Sequence, residues 1–393
     1  MMTDCIVIGG GVVGSSAAYH LAGEGKQTVL IEQFPLPHTR GSSHGPTRVI
    51  RTSYTNVLYS KMTVEAFHLW QRLEEETKCK LYRKTGMLVI DKPPFSTLEK
   101  AKKTALLSGG ECVELSPADV QQLYPGLVTI PSGHRAFLEK GAGTLKADKA
   151  LACLREQIKK FGGRIQDGEK VERIIPGKVV TVITNQATYQ AKSLIIACGA
   201  WTRQVLQALG VNVPLKVVRT TVCFWKEPNE GQSEGFPIFC DYGIHPPKHF
   251  TLPCFVYGFP SIEYPGLRKL GIHQGIETHP DVRDEVCLDN TDSTSDMSFL
   301  FNYMKTRLPE CGDKPSIVEN CMYSMTPDED FIVDTLPHHP NISFGCGFSG
   351  HGFKMAPVLG RILGELALGR KVSYDISCLS LKRFPGAINV SKY

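Results

Sequence analysis

The chain has 393 residues, 42% hydrophobic and 21% charged, with a formal net charge of +5. That length exceeds one ordinary core and implies two domains. The 44 basic residues are interspersed among 39 acidic ones, so no block of charge points to nucleic acid or a membrane surface. Thirteen cysteines are scattered from Cys5 to Cys378 without a C-x-x-C, which reads as reduced thiols serving as small apolar residues and offers no metal spacing. No run reaches the ~20 apolar residues of a membrane span. The first apolar run lacks the basic flank of a signal peptide.

The chain opens as strand, loop, helix, strand. DCIVIG is a short apolar run of the buried parallel kind. GGGVVGSSAAYHLAGEG begins with small residues and continues with apolar ones at helical spacing, and QTVLIE is a second strand ending on Glu32. Together they form a βαβ unit. After Gly143, KADKALACLREQIKKFGG reads as an amphipathic helix stopped by two glycines. Short strands and a hairpin follow, ending in an apolar strand from Ser193 to Cys198. The stretches 86–142 and 216–319 are rich in aromatic residues and proline and lack βα alternation, which suits an antiparallel sheet with long loops. The expected architecture is α/β: a Rossmann-like FAD-binding domain of the glutathione-reductase/DAO type (1–85, 143–215 and 320–393) with an inserted α+β substrate domain on an antiparallel sheet (86–142 and 216–319).

Gly9, Gly11 and Gly14 form G-x-G-x-x-G between the first strand and the helix. Gly9 permits a tight turn, Gly11 lets backbone approach a pyrophosphate, and Gly14 allows close helix–strand packing. The helix start offers free N–H groups and a positive dipole to phosphates. Glu32 stands where a carboxylate accepts from an adenosine ribose hydroxyl, and it argues against the 2′-phosphate of NADP. The fingerprint does not choose between NAD and FAD. Only one is present, so an FAD enzyme of this kind would draw electrons from its organic substrate.

Three further segments, RGSSHGPTRVIR (Arg40–Arg51), CMYSMTPDEDFIVD (Cys321–Asp334) and GCGFSGHGFKMAPVLG (Gly345–Gly360), follow that fingerprint in order. With it they resemble the monomeric sarcosine oxidase family of flavoproteins, most closely its vertebrate peroxisomal branch. The resemblance implies an oxidase of secondary amino acids, sarcosine and L-pipecolate with L-proline a weaker substrate. It uses O2 and releases H2O2 with an imine or its hydrolysis products. It also implies one FAD per chain, tied through the flavin 8α-methyl to Cys321, and a monomer.

The same resemblance assigns roles. Arg51 and Lys354 are to hold the substrate carboxylate, which suits a guanidinium's bidentate geometry and a closed site; a surface salt bridge is the plain alternative for Arg51. Tyr257 and His273 are to line the substrate pocket. Lys269 is to assist O2 reduction with a fixed positive charge, although beside Arg268 it also reads as a basic surface pair. His44 and Arg48 share the loop expected to face the flavin, where a cation tunes its electron affinity. Ser42 and Ser43 are expected at the pyrophosphate or, alternatively, as helix caps. Val171 is to meet the adenine through its backbone, and Gly347 and Gly350 give a flexible entry to the helix after Lys354. No metal is expected. The rivals are a sarcosine- or dimethylglycine-type dehydrogenase, a fructosyl amino acid oxidase and a non-catalytic dinucleotide-binding module. Ser391-Lys392-Tyr393 departs from Ser-Lys-Leu but is expected to engage the peroxisomal import receptor.

Overall fold

The computed structural model describes residues 2–246, 250, 254–284 and 296–387. The C-terminal tripeptide lies outside the described residues. The first strand, β1 (Thr3–Ile8), leads into helix α1 (Val12–Gly23) and strand β2 (Thr28–Glu32). Every residue of β2 is buried, as befits a strand covered on both faces. Arg164–Asp167, β2, β1, Thr188–Ile196 and His339–Cys346 lie side by side, all parallel. Val171–Ile175 and Val180–Thr184 extend this sheet as an antiparallel meander.

Helix α1 is buried on almost all sides because sheet, Ala147–Lys160 and Ala356–Ala367 enclose it. Small residues make this possible: a Cβ on Gly360 would stand 2.5 Å from the Ala17 nitrogen. The helix Ala147–Lys160 follows the predicted amphipathic segment, with Leu151, Leu154 and Ile158 buried.

The second sheet has nine strands. Its neighbours are antiparallel except for Ile238–Asp241 against Met87–Asp91, a parallel pair that joins the two inserted stretches and that the sequence did not announce. At one side, Pro315–Met325 pairs along its length with Lys216–Lys226, Cys321 opposite Thr220. The strand crossing back to the first sheet therefore begins after Met325, not at residue 320, because the ladder with Lys216–Lys226 continues to that point. The stretch 86–142 also contains the helix Ser96–Leu107, which an expectation of strands and loops passes over; its buried Leu98, Ala101 and Ala105 give the helical spacing. Cys321 thus sits on a strand of the second sheet. Lys354 lies beyond the last strand of the first sheet, in a 3₁₀ turn (Phe353–Met355) that enters the helix Ala356–Ala367. The space between the two sheets is where these residues meet.

Candidate active site

A cavity of about 750 Å³ runs from the start of α1 to Lys354. At its first end Gly9 has φ +108°, and a Cβ there would stand 2.3 Å from the Ala197 carbonyl oxygen. Only glycine fits this turn. A Cβ on Gly14 would lie 2.0 Å from the Gly9 oxygen, so Gly14 serves packing and stands behind the cavity wall. Gly11 precedes α1 without a side-chain cap of its own. Ser43 reaches across 31 positions to accept from the Val12 N–H at 3.0 Å, which is the capping alternative for this residue. Glu32 accepts from the Gly10 N–H at 2.7 Å and the Phe34 N–H at 3.0 Å, so its carboxylate is fixed at the end of β2. Ser42 and Val171 also line this end.

Midway along the cavity the His44 Nε2 stands 3.9 Å from the Cys321 Sγ, and His44 Nδ1 is 2.5 Å from the Gly41 carbonyl oxygen. Burial by itself would push the Cys321 thiol up. His44, then Arg48 and Lys269, outweigh it and bring it down to about 6. Burial likewise disfavours charge on His44, but Cys321 reverses the sign and raises it. Each group shifts the other toward its charged form, so the arrangement favours a thiolate beside an imidazolium. Arg48 is anchored by donating to the carbonyls of Thr47, Ser42 and His44, with its guanidinium 5.6 Å from the Phe353 ring.

At the far end Arg51 and Lys354 point into the same volume. Arg51 donates to the Ser53 carbonyl and, at 3.4 Å, to the Tyr242 hydroxyl. Lys354 Nζ donates to the His351 carbonyl at 3.1 Å. The Tyr54 ring lies 4.4 Å from the Arg51 guanidinium and 5.6 Å from the Lys354 ammonium. Neither cation forms an ion pair among the described residues. Burial, then Arg51, drives the Lys354 ammonium well below its ordinary range. His273, stacked on Phe255 at 4.7 Å, is held down at about 4 by burial and then by Arg51 and Lys354. Tyr257 closes this end, its hydroxyl raised by burial and then by Tyr323. Gly350 (φ +76°) lines the cavity, and a Cβ there would strike His273 and Tyr323 at 2.8 Å. Gly347 (φ +65°) does not line it; it lets the loop pass Thr326.

A half-buried guanidinium and a buried lysine, neither with a counter-ion among the described residues, make a site for a carboxylate, whose negative charge offsets the burial that disfavours the lysine's proton. A dinucleotide cradle, a low-titrating thiol and an anion pocket thus share one cavity. A family model described as FAD dependent oxidoreductase matches residues 4–366. The chain belongs to the FAD dependent oxidoreductase family.

It is 41% identical over 385 residues to the peroxisomal sarcosine oxidase of Homo sapiens, covering 97% of this chain and 96% of that protein. It is 34% identical over 395 residues to a monomeric sarcosine oxidase of Bacillus sp., covering 97% and 96%. Among solved structures, the open form of NikD, an unusual amino acid oxidase essential for nikkomycin biosynthesis, matches with a TM-score of 0.81 at 23% identity, covering 96% of this chain and 97% of that one. The L-proline dehydrogenase of P. horikoshii matches with a TM-score of 0.80 at 20% identity, covering 98% of each. These structures share the fold.

The residues present fit this family's FAD. Gly9 lets the chain turn tightly against Ala197, the α1 N-terminus faces the cavity, and the Glu32 carboxylate, held by the Gly10 N–H, lines it beside that N-terminus. Several residues that support the cavity-lining groups are not marked by any sequence motif. Trp70 donates from Nε1 to the Lys354 carbonyl at 2.8 Å, and so fixes the turn that carries the ammonium. Tyr54, Tyr242 and Tyr323 surround the two cations and Tyr257, and Glu263 pairs with Lys269 at 2.6 Å. Tyr54 lies three positions past Arg51, and Glu263 stands between Tyr257 and Lys269, but neither belongs to a recognisable motif.

Proposed function

We propose that this protein is an FAD-dependent oxidase of small secondary amino acids, taking sarcosine and L-pipecolate, with L-proline a weaker substrate. The observation that carries this reading is the couple of Arg51 and Lys354, without an ion pair among the described residues, at the end of a cavity whose other end is a dinucleotide cradle. The names of the relatives support the substrate class. FAD, when bound, accepts an electron pair and passes it to O2.

The chain's own residues supply the rest. Arg51 and Lys354 receive the carboxylate. Arg51's charge, and that of Lys354 once the carboxylate offsets its burial, disfavours a third positive centre nearby, so the amine binds neutral with a nitrogen lone pair available. His273, held neutral, adds no competing charge. Tyr257, Phe255 and Tyr323 form an apolar wall that suits an N-methyl group or a cyclic methylene chain and excludes water. The amine carbon loses its C–H electron pair, giving an imine: from sarcosine, glycine and formaldehyde after hydrolysis; from L-pipecolate, 1-piperideine-6-carboxylate. The pair reduces O2 to H2O2, with Lys269 placed on the cavity wall to favour the negative charge that forms on oxygen.

In this reading Cys321 holds FAD covalently. The thiolate beside His44 is the nucleophile such a bond needs. The chain works as a monomer in the peroxisome, a location that the relatives' names support. Acid precipitation tests the tether: the pellet stays yellow for the native protein and is colourless for Cys321→Ala, and a colourless native pellet refutes it. Peroxide release with sarcosine tests the oxidase; dye reduction without peroxide indicates a dehydrogenase, and no turnover a binder.

A further inference from the structure

Lys269 does not stand as a bare charge on the cavity wall. Its Nζ lies 2.6 Å from the Glu263 Oε1, with side-chain exposures of 9% and 2%. The pairing depends on an irregularity in the hairpin. The ladder between Val256–Tyr264 and Leu267–Ile272 runs in register to Phe259 opposite Lys269, then resumes at Tyr264 opposite Leu267. The surplus residues between, beginning with Pro260, curl out of the ladder, and bulges of this kind re-aim side chains. Here the bulge turns Glu263 back onto Lys269. Two anchors keep it there: the Ser261 N–H donates to Ser233 Oγ at 2.8 Å, and the Tyr264 hydroxyl to Glu319 at 2.7 Å.

Thr47, from the other side of the cavity, donates to the same Glu263 oxygen, and its Oγ1 is 3.5 Å from Lys269 Nζ. The rings of Phe224 and Phe259 flank the ammonium at 5.6 and 5.3 Å. Cys321, itself faced by His44 and Arg48, is the remaining ionisable neighbour that feels Lys269. The second carboxylate oxygen, Oε2, is buried with no hydrogen-bond partner among the described residues. Glu263 is thus a dry carboxylate whose formed contacts all converge on one oxygen shared by Lys269 and Thr47.

Resting on the oxidase reading above, we propose that Glu263 is a positioning residue for Lys269: it holds the ammonium as an ion pair at the cavity wall, and so governs the reaction of the reduced enzyme with O2. A lysine between two phenyl rings loses its incentive to stay charged once its carboxylate is gone. The native pair brings a charged N–H donor to the cavity at nearly zero net charge. A neutral residue at 263 leaves either a naked cation, at low pH, or a neutral amine, at high pH.

The test compares native holoenzyme with Glu263→Gln, Glu263→Asp and the double variant Glu263→Gln/Lys269→Gln. Sulfite serves as an anionic probe read by bleaching of flavin absorbance between pH 6.5 and 9. Taking the ratio of variant to native Kd cancels the titration of sulfite itself. For Glu263→Gln the ratio starts below one and climbs by about tenfold or more across that range, tracking loss of one charge beside the probe. Glu263→Asp, which keeps the charge, stays within about twofold. Reoxidation of photoreduced Glu263→Gln by O2 falls in parallel relative to native. A ratio that is flat with pH, or a pH-dependent one that persists in the Lys269→Gln background, overturns the proposal. If Glu263→Gln does not fold, the comparison of Glu263→Asp with Lys269→Gln decides: near-native O2 reactivity in Glu263→Asp with a clear loss in Lys269→Gln supports the pair, and equal losses in the two or a fully native rate in Lys269→Gln overturns it. Neither readout uses an amine substrate. A protein that never oxidises sarcosine would refute the substrate reading and leave the sulfite titration to judge Glu263.

Discussion

Replacing His44 with Ala or Gln tests the thiolate at its source. The Cys321 thiol lies at about 6 against an ordinary 9.0, and His44 is the foremost of the groups lowering it. Taking 9.0 as the value reached without those groups, the thiolate fraction at pH 6 differs by about 500-fold, half ionised against about a tenth of a per cent. Intrinsic nucleophilicity works against this. Reactivity of a thiolate falls with its pKa with a Brønsted slope of about 0.4–0.5, so three units cost about twentyfold. The net advantage of the native thiol is about 25-fold at pH 6 and only about fivefold at pH 7. A single rate at neutral pH is therefore a poor assay, and the pH profile is a good one. Apoprotein from riboflavin-starved cells is alkylated with iodoacetamide from pH 5 to 9, and Cys321 is followed by peptide mass spectrometry. Native protein gives a curve with its midpoint near 6 that is flat above about pH 7. Either His44 variant moves the midpoint up by more than about one unit and keeps rising at pH 8, since burial then faces only Arg48 and Lys269. The same variants take up flavin covalently more slowly. A midpoint that does not move refutes the thiolate–imidazolium argument and, with it, the physical basis for the tether.

Arg51→Lys keeps the charge but loses the fork, so KM for sarcosine rises about 10- to 100-fold, the worth of one charge-assisted hydrogen bond, with a smaller change in kcat measured by peroxide release. Glu329, raised to about 7 by burial and then by Asp330, binds its proton more tightly in the fold than the ordinary 4.5 allows. Its contribution is intact below pH 4.5 and is lost as pH rises through 7, so Glu329→Gln raises Tm at pH 8.5 by about 1–2 °C and not at pH 4.5. Gly360→Ala forces a methyl against Ala17 and Ser16 and costs about 1–3 kcal/mol, lowering Tm at every pH without altering the alkylation profile of Cys321.

The contrast between the residues that could be read in advance and those that could not has a physical origin. Gly9, Gly11, Gly14 and Glu32 act through a turn and a helix start that they build themselves, so their spacing along the chain already expresses their geometry. The alternation of strand and helix shows in the same way, and the expected α/β fold with an inserted antiparallel sheet is the one observed. Tyr54, Trp70 and Glu263 belong to a different kind. Trp70 lies 284 positions from the carbonyl it holds, and Thr47 is 216 from the carboxylate it meets. Nothing in WQRL or IEYPG distinguishes these side chains from ordinary amphipathic or turn residues. Their roles arise only when the two sheets close on one another. The same closure gives Cys321 its character: ten other described cysteines are pushed up by burial, and burial pushes this one up too, yet its thiol is lowered. What reverses its direction is not local sequence but His44 and Arg48, carried to it by a loop 277 positions away. A thiol's neighbours across the fold, rather than its own segment, decide whether it is inert packing or a nucleophile.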